Sequence, residues 1–336
     1  MKRILWLFSV AVMSISCGGA EEPAQQLPEP VEPIVSAGMI ERLDPSLDAL
    51  VSVDAVIEHL ADGFGFIEGP VWIRSGGPFL LFSDIPANRI VKWSPTGKVS
   101  DFLSPVFEGE YEQGRLIGSN GITVDPNGDV VFTEHYGRRI SRMASDGTVS
   151  TVVDTYEGNR FSSPNDLIYK SDGSLYFTDP AYGLPTPEDR EIDVNGIYRL
   201  DVDGQVTQLA ELPGPNGIAF SPDETRLYVA DSSQNLWMVY QVASDGSLDE
   251  GTVLLDASDV DETGAADGLK VDSAGNLWAT GPGGVWVISP TGQHLGTIKP
   301  NEVPANAGWG DDGSTLYMTA RTGLYRIRTN AMGLLP

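Results

Sequence analysis

Short apolar runs that end in a small or polar pair recur along the chain at nearly even intervals. The five-residue unit occurs six times, at 80–84, 130–134, 175–179, 227–231, 277–281 and 316–320. The mean spacing is about 47 residues, which is typical of repeat architectures such as propellers. Runs of this length that are rich in β-branched and aromatic residues predict strands. The pattern therefore predicts a β unit that is repeated six times.

Tight turns divide each repeat into further strands. Most units follow a polar turn that contains glycine, such as 126–128 or 273–275, as a hairpin requires. A second apolar run, a second turn such as 145–147, and usually a fourth β-rich stretch come after the unit. Four strands per repeat, six repeats and almost no helical periodicity predict an all-β fold, a six-bladed β-propeller with four-stranded blades.

The last repeat is too short to hold four strands. Only about 20 residues follow residue 316, and an incomplete blade would expose an unpaired strand edge. The segment 56–60 (VIEHL), just ahead of the first blade, has the composition of a strand. We therefore expect an N-terminal strand to close the last blade.

A carboxylate or amide side chain stands ten to twelve positions before the start of every unit. These six residues are Glu68, Asn120, Asn165, Asn216, Asp267 and Asn306. Because the first strand of each blade lines the central channel of a propeller, the six side chains should meet at one mouth. Oxygen ligands in this number, with no His or Cys among them, favour Ca²⁺ over Mg²⁺ or Zn²⁺. Asn-Gly and Asp-Gly also form tight turns, which explains single instances but not their recurrence in all six repeats.

The connections between strands differ in length on the two faces of the predicted propeller. The two long connections, 104–119 and 180–195, lie on the same face as the six polar residues, and unequal loop length of this kind marks a binding face. His135 and Tyr182 lie in loops of that face, so we expect them to bind substrate. A lone histidine also serves as a hydrogen-bonding or packing residue.

Charge and composition exclude one class of partner. The chain has 21 Lys and Arg against 47 Asp and Glu, for a net charge of −26, and no basic cluster. A nucleic-acid partner is thereby excluded, because affinity for phosphates is built from clustered basic side chains. Hydrophobic residues make up 41% of the chain, which is enough for a substantial core.

The first residues have the marks of an export signal. A basic start and an apolar run too short to span a bilayer precede Cys17, the only cysteine. The segment 14–17 resembles the acylation site of bacterial lipoproteins. We expect a signal at 1–16, an acidic Pro-rich tether at 17–45 and a propeller domain at 46–336, in an exported protein that is periplasmic or at the cell surface. The alternative to a lipid anchor at Cys17 is a plain secreted protein.

Five short segments resemble the gluconolactonase and regucalcin family of calcium-dependent propellers. They are 67–72 (IEGPVW), 163–167 (SPNDL), 177–184 (FTDPAYGL), 215–218 (PNGI) and 267–269 (DGL). The resemblance implies that Glu68, Asn165, Asn216 and Asp267 are calcium ligands and that Asn120 lies near the substrate or a metal-bound water. Regucalcin-type members place a substrate-binding Arg two residues before the third-blade Asn, where this chain has Ser163.

The resemblance implies hydrolysis of a cyclic ester. Ca²⁺ would polarise the carbonyl group, Asp267 would act as base or nucleophile, and Glu68 would serve as a ligand. Two alternatives stay open at this point. One is hydrolysis of a phosphotriester or aryl ester at the same calcium site, and the other is a non-catalytic, surface-tethered binding propeller. The fold alone does not choose among them.

Overall fold

A computed structural model describes residues 35–112 and 114–336. The predicted signal at 1–16, Cys17 and most of the predicted tether lie outside the described residues. The end of the tether was predicted wrongly. Strand β1 (Gly38–Arg42) pairs antiparallel with a strand of the fifth blade, from Gly38 opposite Pro300 to Arg42 opposite Gly296. The segment therefore belongs to the propeller, and that blade has five strands instead of four.

The remaining elements follow in chain order. A one-turn helix α1 (Leu47–Leu50) and strand β2 (Ile57–Ala61) precede the first blade, which comprises β3 (Ile67–Ile73), β4 (Phe79–Asp84), β5 (Arg89–Trp93) and β6 (Val99–Leu103). The second blade comprises β7 (Ser119–Val124), β8 (Val130–Glu134), β9 (Arg139–Met143) and β10 (Val149–Val153), and a small hairpin of β11 (Thr155–Tyr156) and β12 (Asn159–Arg160) follows it. The third comprises β13 (Leu167–Tyr169), β14 (Leu175–Asp179), β15 (Gly196–Leu200) and β16 (Val206–Glu211), with a 3₁₀ helix (Pro187–Asp189) before β15. The fourth comprises β17 (Pro215–Phe220), β18 (Arg226–Asp231), β19 (Leu236–Gln241) and β20 (Thr252–Asp256). The fifth comprises β21 (Leu269–Val271), β22 (Leu277–Gly281), β23 (Gly284–Ile288) and β24 (His294–Pro300), and the sixth β25 (Asn306–Gly310), β26 (Thr315–Ala320) and β27 (Gly323–Arg328).

The six sheets form the predicted six-bladed propeller. Each of the six repeated units lies in the second strand of its blade and is buried along its length. Strand β2 pairs with β27, with Ile57 opposite Ile327, so the prediction that an N-terminal strand closes the last blade is confirmed. An ion pair of 2.8 Å between Glu58 and Arg326 strengthens this closure. No helix in the described part of the chain is long and apolar enough to cross a membrane.

Side-chain hydroxyls on or just after the second strands tie each of the first five blades to the next. They donate to backbone carbonyls at or just before the start of the following inner strand, and we call them latches. Three latches bond the site residues of the next blade directly: Ser83 Oγ to the Asn120 carbonyl at 2.8 Å, Thr133 Oγ1 to Asn165 at 2.7 Å and Thr178 Oγ1 to Asn216 at 2.8 Å. Two more bond the residue before a site residue: Ser232 Oγ to Ala266 at 2.6 Å and Thr280 Oγ1 to Ala305 at 2.8 Å. The latches therefore fix the backbone that carries the polar ring.

Candidate metal centre

The six polar residues lie at the same end of the inner strands. Glu68, Asn120 and Asn216 are second residues of β3, β7 and β17, and the remaining three stand at or just before β13, β21 and β25. The register shifts immediately after Glu68, after Ser119 and after Pro215. Such bulges re-aim side chains out of the regular alternation of a strand. A β-bulge therefore redirects three of the six side chains.

The glycines that follow site residues permit close contact between neighbouring inner strands. A Cβ at Gly217 would lie 2.4 Å from the Asp267 carbonyl oxygen, and one at Gly268 would lie 2.0 Å from Cγ of Asn306. A Cβ at Gly121 would lie 2.7 Å from the Asn165 carbonyl. These distances are shorter than any side chain tolerates. The glycines are therefore needed for the close approach of neighbouring inner strands, and turn formation alone does not explain them.

Glu68 and Asp267 lie close enough to repel each other. Burial raises the pKa of Glu68 to about 7, the Asn306 side chain opposes that rise, and the charge of Asp166 adds to it. Burial also raises the pKa of Asp267 well above its usual range, and the charges of Glu68 and Asp166 raise it further. Like charges held together in this way remain ionised at neutral pH only if a cation balances them.

Two charged residues beside the ring were missed by the sequence analysis. Asp166 is 3% exposed, and its Oδ2 has no hydrogen-bond partner among the described residues. The Nζ of Lys270 lies 3.8 Å from that oxygen and also donates to the Leu269 carbonyl at 3.0 Å. Asp166 was visible next to Asn165 in the segment 163–167, but nothing in the sequence pointed to Lys270. Three carboxylates and one ammonium group leave a charge that a divalent cation would neutralise.

The donor set fits a hard cation. In the described ranges no three side chains drawn from His, Cys, Asp and Glu form a metal cluster, so amide oxygens must complete any ligand set. One such amide oxygen is Oδ1 of Asn120, which is buried and has no hydrogen-bond partner among the described residues. The Nδ2 of Asn216 donates to Ser232 Oγ at 2.9 Å, which leaves the amide oxygen at the other end of the group. Carboxylate and amide oxygens together are the ligands that Ca²⁺ prefers.

Residues of the two long loops meet beside the ring. Ser163 is fully buried; its Oγ donates to the Pro180 carbonyl at 2.7 Å and accepts from the Gly183 amide at 2.8 Å. Ser163 stands at the position where regucalcin-type members place an Arg, and here its two hydrogen bonds hold the loop 180–195. The Nη2 of Arg115 donates to the Gly183 carbonyl at 2.8 Å and joins the loop 104–119 to it.

The two residues expected to bind substrate differ in exposure. Tyr182 is 38% exposed, and burial of its ring raises the pKa of its hydroxyl to about 12, with the Asp267 charge contributing. Tyr182 therefore lies at the open side of the site. His135 is 1% exposed, and its Nε2 lies 2.9 Å from Nδ2 of Asn120. Substrate binding by either residue stays a prediction.

A cavity of about 360 Å³ lies at the other end of the channel. Apolar residues of the inner strands and the C-terminal residues 334–336 line it, and Lys270 stands in its wall. The Nη2 of Arg74 donates to the carbonyl of Pro336 at 2.7 Å and holds the chain terminus there. The cavity thus lies on the face away from the long loops.

Comparison with known proteins identifies the family and the fold. The family described as SMP-30/Gluconolactonase/LRE-like region matches residues 66–322. A gluconolactonase from Zymomonas mobilis is 40% identical over 313 residues, which cover 88% of this chain and 87% of that protein. The solved structure of a gluconolactonase from Xanthomonas campestris superposes with a TM-score of 0.77 at 32% identity, covering 86% of this chain and 94% of that one. A calcium-binding protein from Agrobacterium tumefaciens, regucalcin, has a TM-score of 0.64 at 18% identity, covers 82% of this chain and 95% of that one, and shares the fold.

Proposed function

The chain belongs to the SMP-30/gluconolactonase/LRE-like family, and from that premise we propose that it is a calcium-dependent lactonase. The observation that carries the proposal is the ring of oxygen-bearing side chains, in which Glu68 and Asp267 are held against each other. Repulsion of that kind makes the site a receptor for a cation, and the absence of His and Cys from the ring favours calcium. Glu68, Asn165, Asn216 and Asp267 would hold the ion.

When bound, Ca²⁺ would supply the positive charge that polarises the lactone carbonyl. Asp267 would take a proton from the attacking water: its side chain is partly accessible at the mouth, and burial together with the charges of Glu68 and Asp166 favours its protonation. The oxygen of that water forms a bond to the carbonyl carbon, and the bond from this carbon to the ring oxygen breaks. The ring oxygen takes up the proton, so the products are a hydroxyl group and a carboxylic acid, which ionises at neutral pH.

The substrate class is a small-molecule lactone. The relatives carry the names gluconolactonase and pentonolactonase, which supports a sugar-derived lactone as the first compound to test. Ser163 stands where regucalcin-type members have an Arg, and its hydroxyl is hydrogen-bonded to the loop 180–195. Other side chains must therefore contact the sugar hydroxyls. Tyr182 and Asn120 are our candidates.

Location is a separate part of the proposal. The basic start, the apolar run and Cys17 support an exported protein that is anchored by a lipid on Cys17, in the periplasm or at the cell surface. Labelling of the full chain with a radioactive or clickable fatty acid tests this. Label in the wild type and none in Cys17→Ser is the expected result, and equal label in both would contradict the anchor.

The decisive experiment is a calcium titration followed by hydrolysis assays. We expect the metal-free protein to bind one Ca²⁺ and to hydrolyse glucono-1,5-lactone only in its presence. D267N should lower kcat by roughly 10²–10⁴-fold, the usual contribution of a general base. The matched control is D203N, which changes an exposed Asp in the turn between β15 and β16.

Three results would overturn parts of the assignment. D267N with calcium bound and turnover unchanged would remove Asp267 as the base. Faster turnover of a phosphotriester than of every lactone tested would make this a different esterase, and ligand binding without turnover of any ester would make it a binding protein.

A further inference from the structure

The buried contact between His135 and Asn120 has a fixed direction. The two nitrogens are 2.9 Å apart, and both side chains are more than nine-tenths buried. An amide NH₂ group has no lone pair to offer, so Nδ2 of Asn120 donates and Nε2 of His135 accepts. The proton of the neutral imidazole must then be on Nδ1.

The other end of each group has no partner. Nδ1 of His135 and Oδ1 of Asn120 are both buried without a hydrogen bond to any described residue. A buried carbonyl oxygen without a donor is costly, and such groups in native proteins usually have a functional reason. Asn120 is the second residue of inner strand β7, at the mouth of the channel, so the oxygen that makes no hydrogen bond within the fold belongs to the site.

The imidazole cannot easily turn away. A Cβ added at Gly183 would lie 3.1 Å from Cβ of His135 and 2.7 Å from Cβ of Ser163, so the loop 180–195 is packed against the histidine. The backbone amide of His135 also donates to the Gly118 carbonyl at 3.2 Å. Backbone pairing on one side and the loop on the other therefore fix the backbone and Cβ of His135, and the buried ring is oriented by its contact with Asn120.

We propose that His135 is a positioning residue, which holds the amide of Asn120 with its Oδ1 towards the reacting groups at the channel mouth. An imidazole with the proton on Nε2 would instead turn the amide around and present its NH₂ group. The tautomer of one buried histidine thus decides whether Asn120 offers the reaction an acceptor or a donor. This inference rests on the proposed lactonase function only in its kinetic part.

Nitrogen NMR tests the tautomer without any activity. The chain has three histidines, and Nε2 of His294 contacts the oxygens Gly296 O and Thr297 Oγ1, so His294 gives an internal reference for the Nε2–H form. At pH 7.5 we expect His135 to show a protonated Nδ1 and an unprotonated, hydrogen-bonded Nε2, and N120A to shift that Nε2 signal. A protonated Nε2 on His135, or a signal that N120A leaves unchanged, would overturn the inference.

A double-mutant cycle tests the consequence for catalysis. We expect H135F to lower kcat/KM by about 10–100-fold, as loss of an orienting partner does, and H135Q to recover most of it because Gln keeps an acceptor. N120A/H135F should be no slower than N120A, since His135 acts through Asn120. Losses that multiply would contradict the proposal. If the wild type hydrolyses no lactone, the proposed function fails, while the NMR result still decides the role of His135.

Discussion

Substitution of His135 should change how stability depends on pH. Burial alone lowers the pKa of His135 to about 4 from 6.5. In the unfolded chain the imidazole takes up a proton below about pH 6.5, whereas in the folded protein it stays neutral until about pH 4. The unfolded state therefore binds more protons in this window. The stability that comes from keeping His135 neutral is complete above pH 6.5 and is lost as the pH falls towards 4.

The size of the effect follows from these two values. Relative to H135Q, the wild type should lose about 1 kcal/mol of unfolding free energy between pH 7 and 5.5, and about 2.5 kcal/mol between pH 7 and 4.5. Urea unfolding in EDTA at the three pH values measures it. Subtracting the H135Q values removes the contribution of the carboxyl groups, which titrate in both proteins.

A second variant tests whether any substitution changes the pH dependence. The control variant is T151V, which removes no ionisable group and lies on an exposed outer strand, so it should leave the pH dependence of stability unchanged. Wild type and H135Q with the same pH dependence would refute the reasoning. In that case the imidazole would be accessible to a proton in the folded state, and the fixed tautomer inferred above would fail with it.

Three further substitutions test the way in which the blades position the site. T178V removes the latch to the Asn216 carbonyl, so it should lower the unfolding free energy by about 1 kcal/mol and weaken calcium binding. T151V, on an exposed outer strand, should change neither quantity, and urea unfolding and calcium titration measure both. G217A places a Cβ 2.4 Å from the Asp267 carbonyl oxygen, so it should lower the unfolding free energy by about 1–3 kcal/mol and also lower calcium affinity. Unchanged calcium affinity would mean that the inner strands have room to separate. I57A replaces a fully buried residue of the closing strand and should lower the unfolding free energy by about 2–5 kcal/mol, against about 0.5 kcal/mol or less for V53A, which is 67% exposed. Equal midpoints of thermal unfolding for the two variants would count against ring closure by β2.

Regular features of the fold could be predicted because they are repeated. The second strands share one pattern of apolar residues, and the polar ring stands at nearly constant offsets from them, so six independent copies support each inference. The closing strand β2 was predictable as well, since the short last repeat demanded a partner. Strand β1 was not, because it covers one blade only and 64% of its Met39 surface faces solvent. A strand that buries so little apolar surface lacks the alternation of apolar and polar residues by which strands are predicted.

The parts of the site that escaped prediction depend on the closure of the ring. Lys270 and Asp166 lie in different blades, and no spacing along the chain indicates that their side chains meet. The role of Ser163 was visible only as a departure from a family pattern, whereas its two hydrogen bonds to the loop 180–195 are a property of the folded chain. His135 could be placed on the correct face from the sequence, but its burial and its contact with Asn120 could not.

The pairing of β2 with β27 also sets an order of events during folding. Glu58 and Arg326, which join the two strands, are 268 residues apart. Both strands must be available before the sixth blade can acquire its outer strand. Until then the circle of blades stays open at the sixth blade, and contacts so distant in sequence form slowly. Closure of the circle is therefore among the last steps of folding that this topology allows.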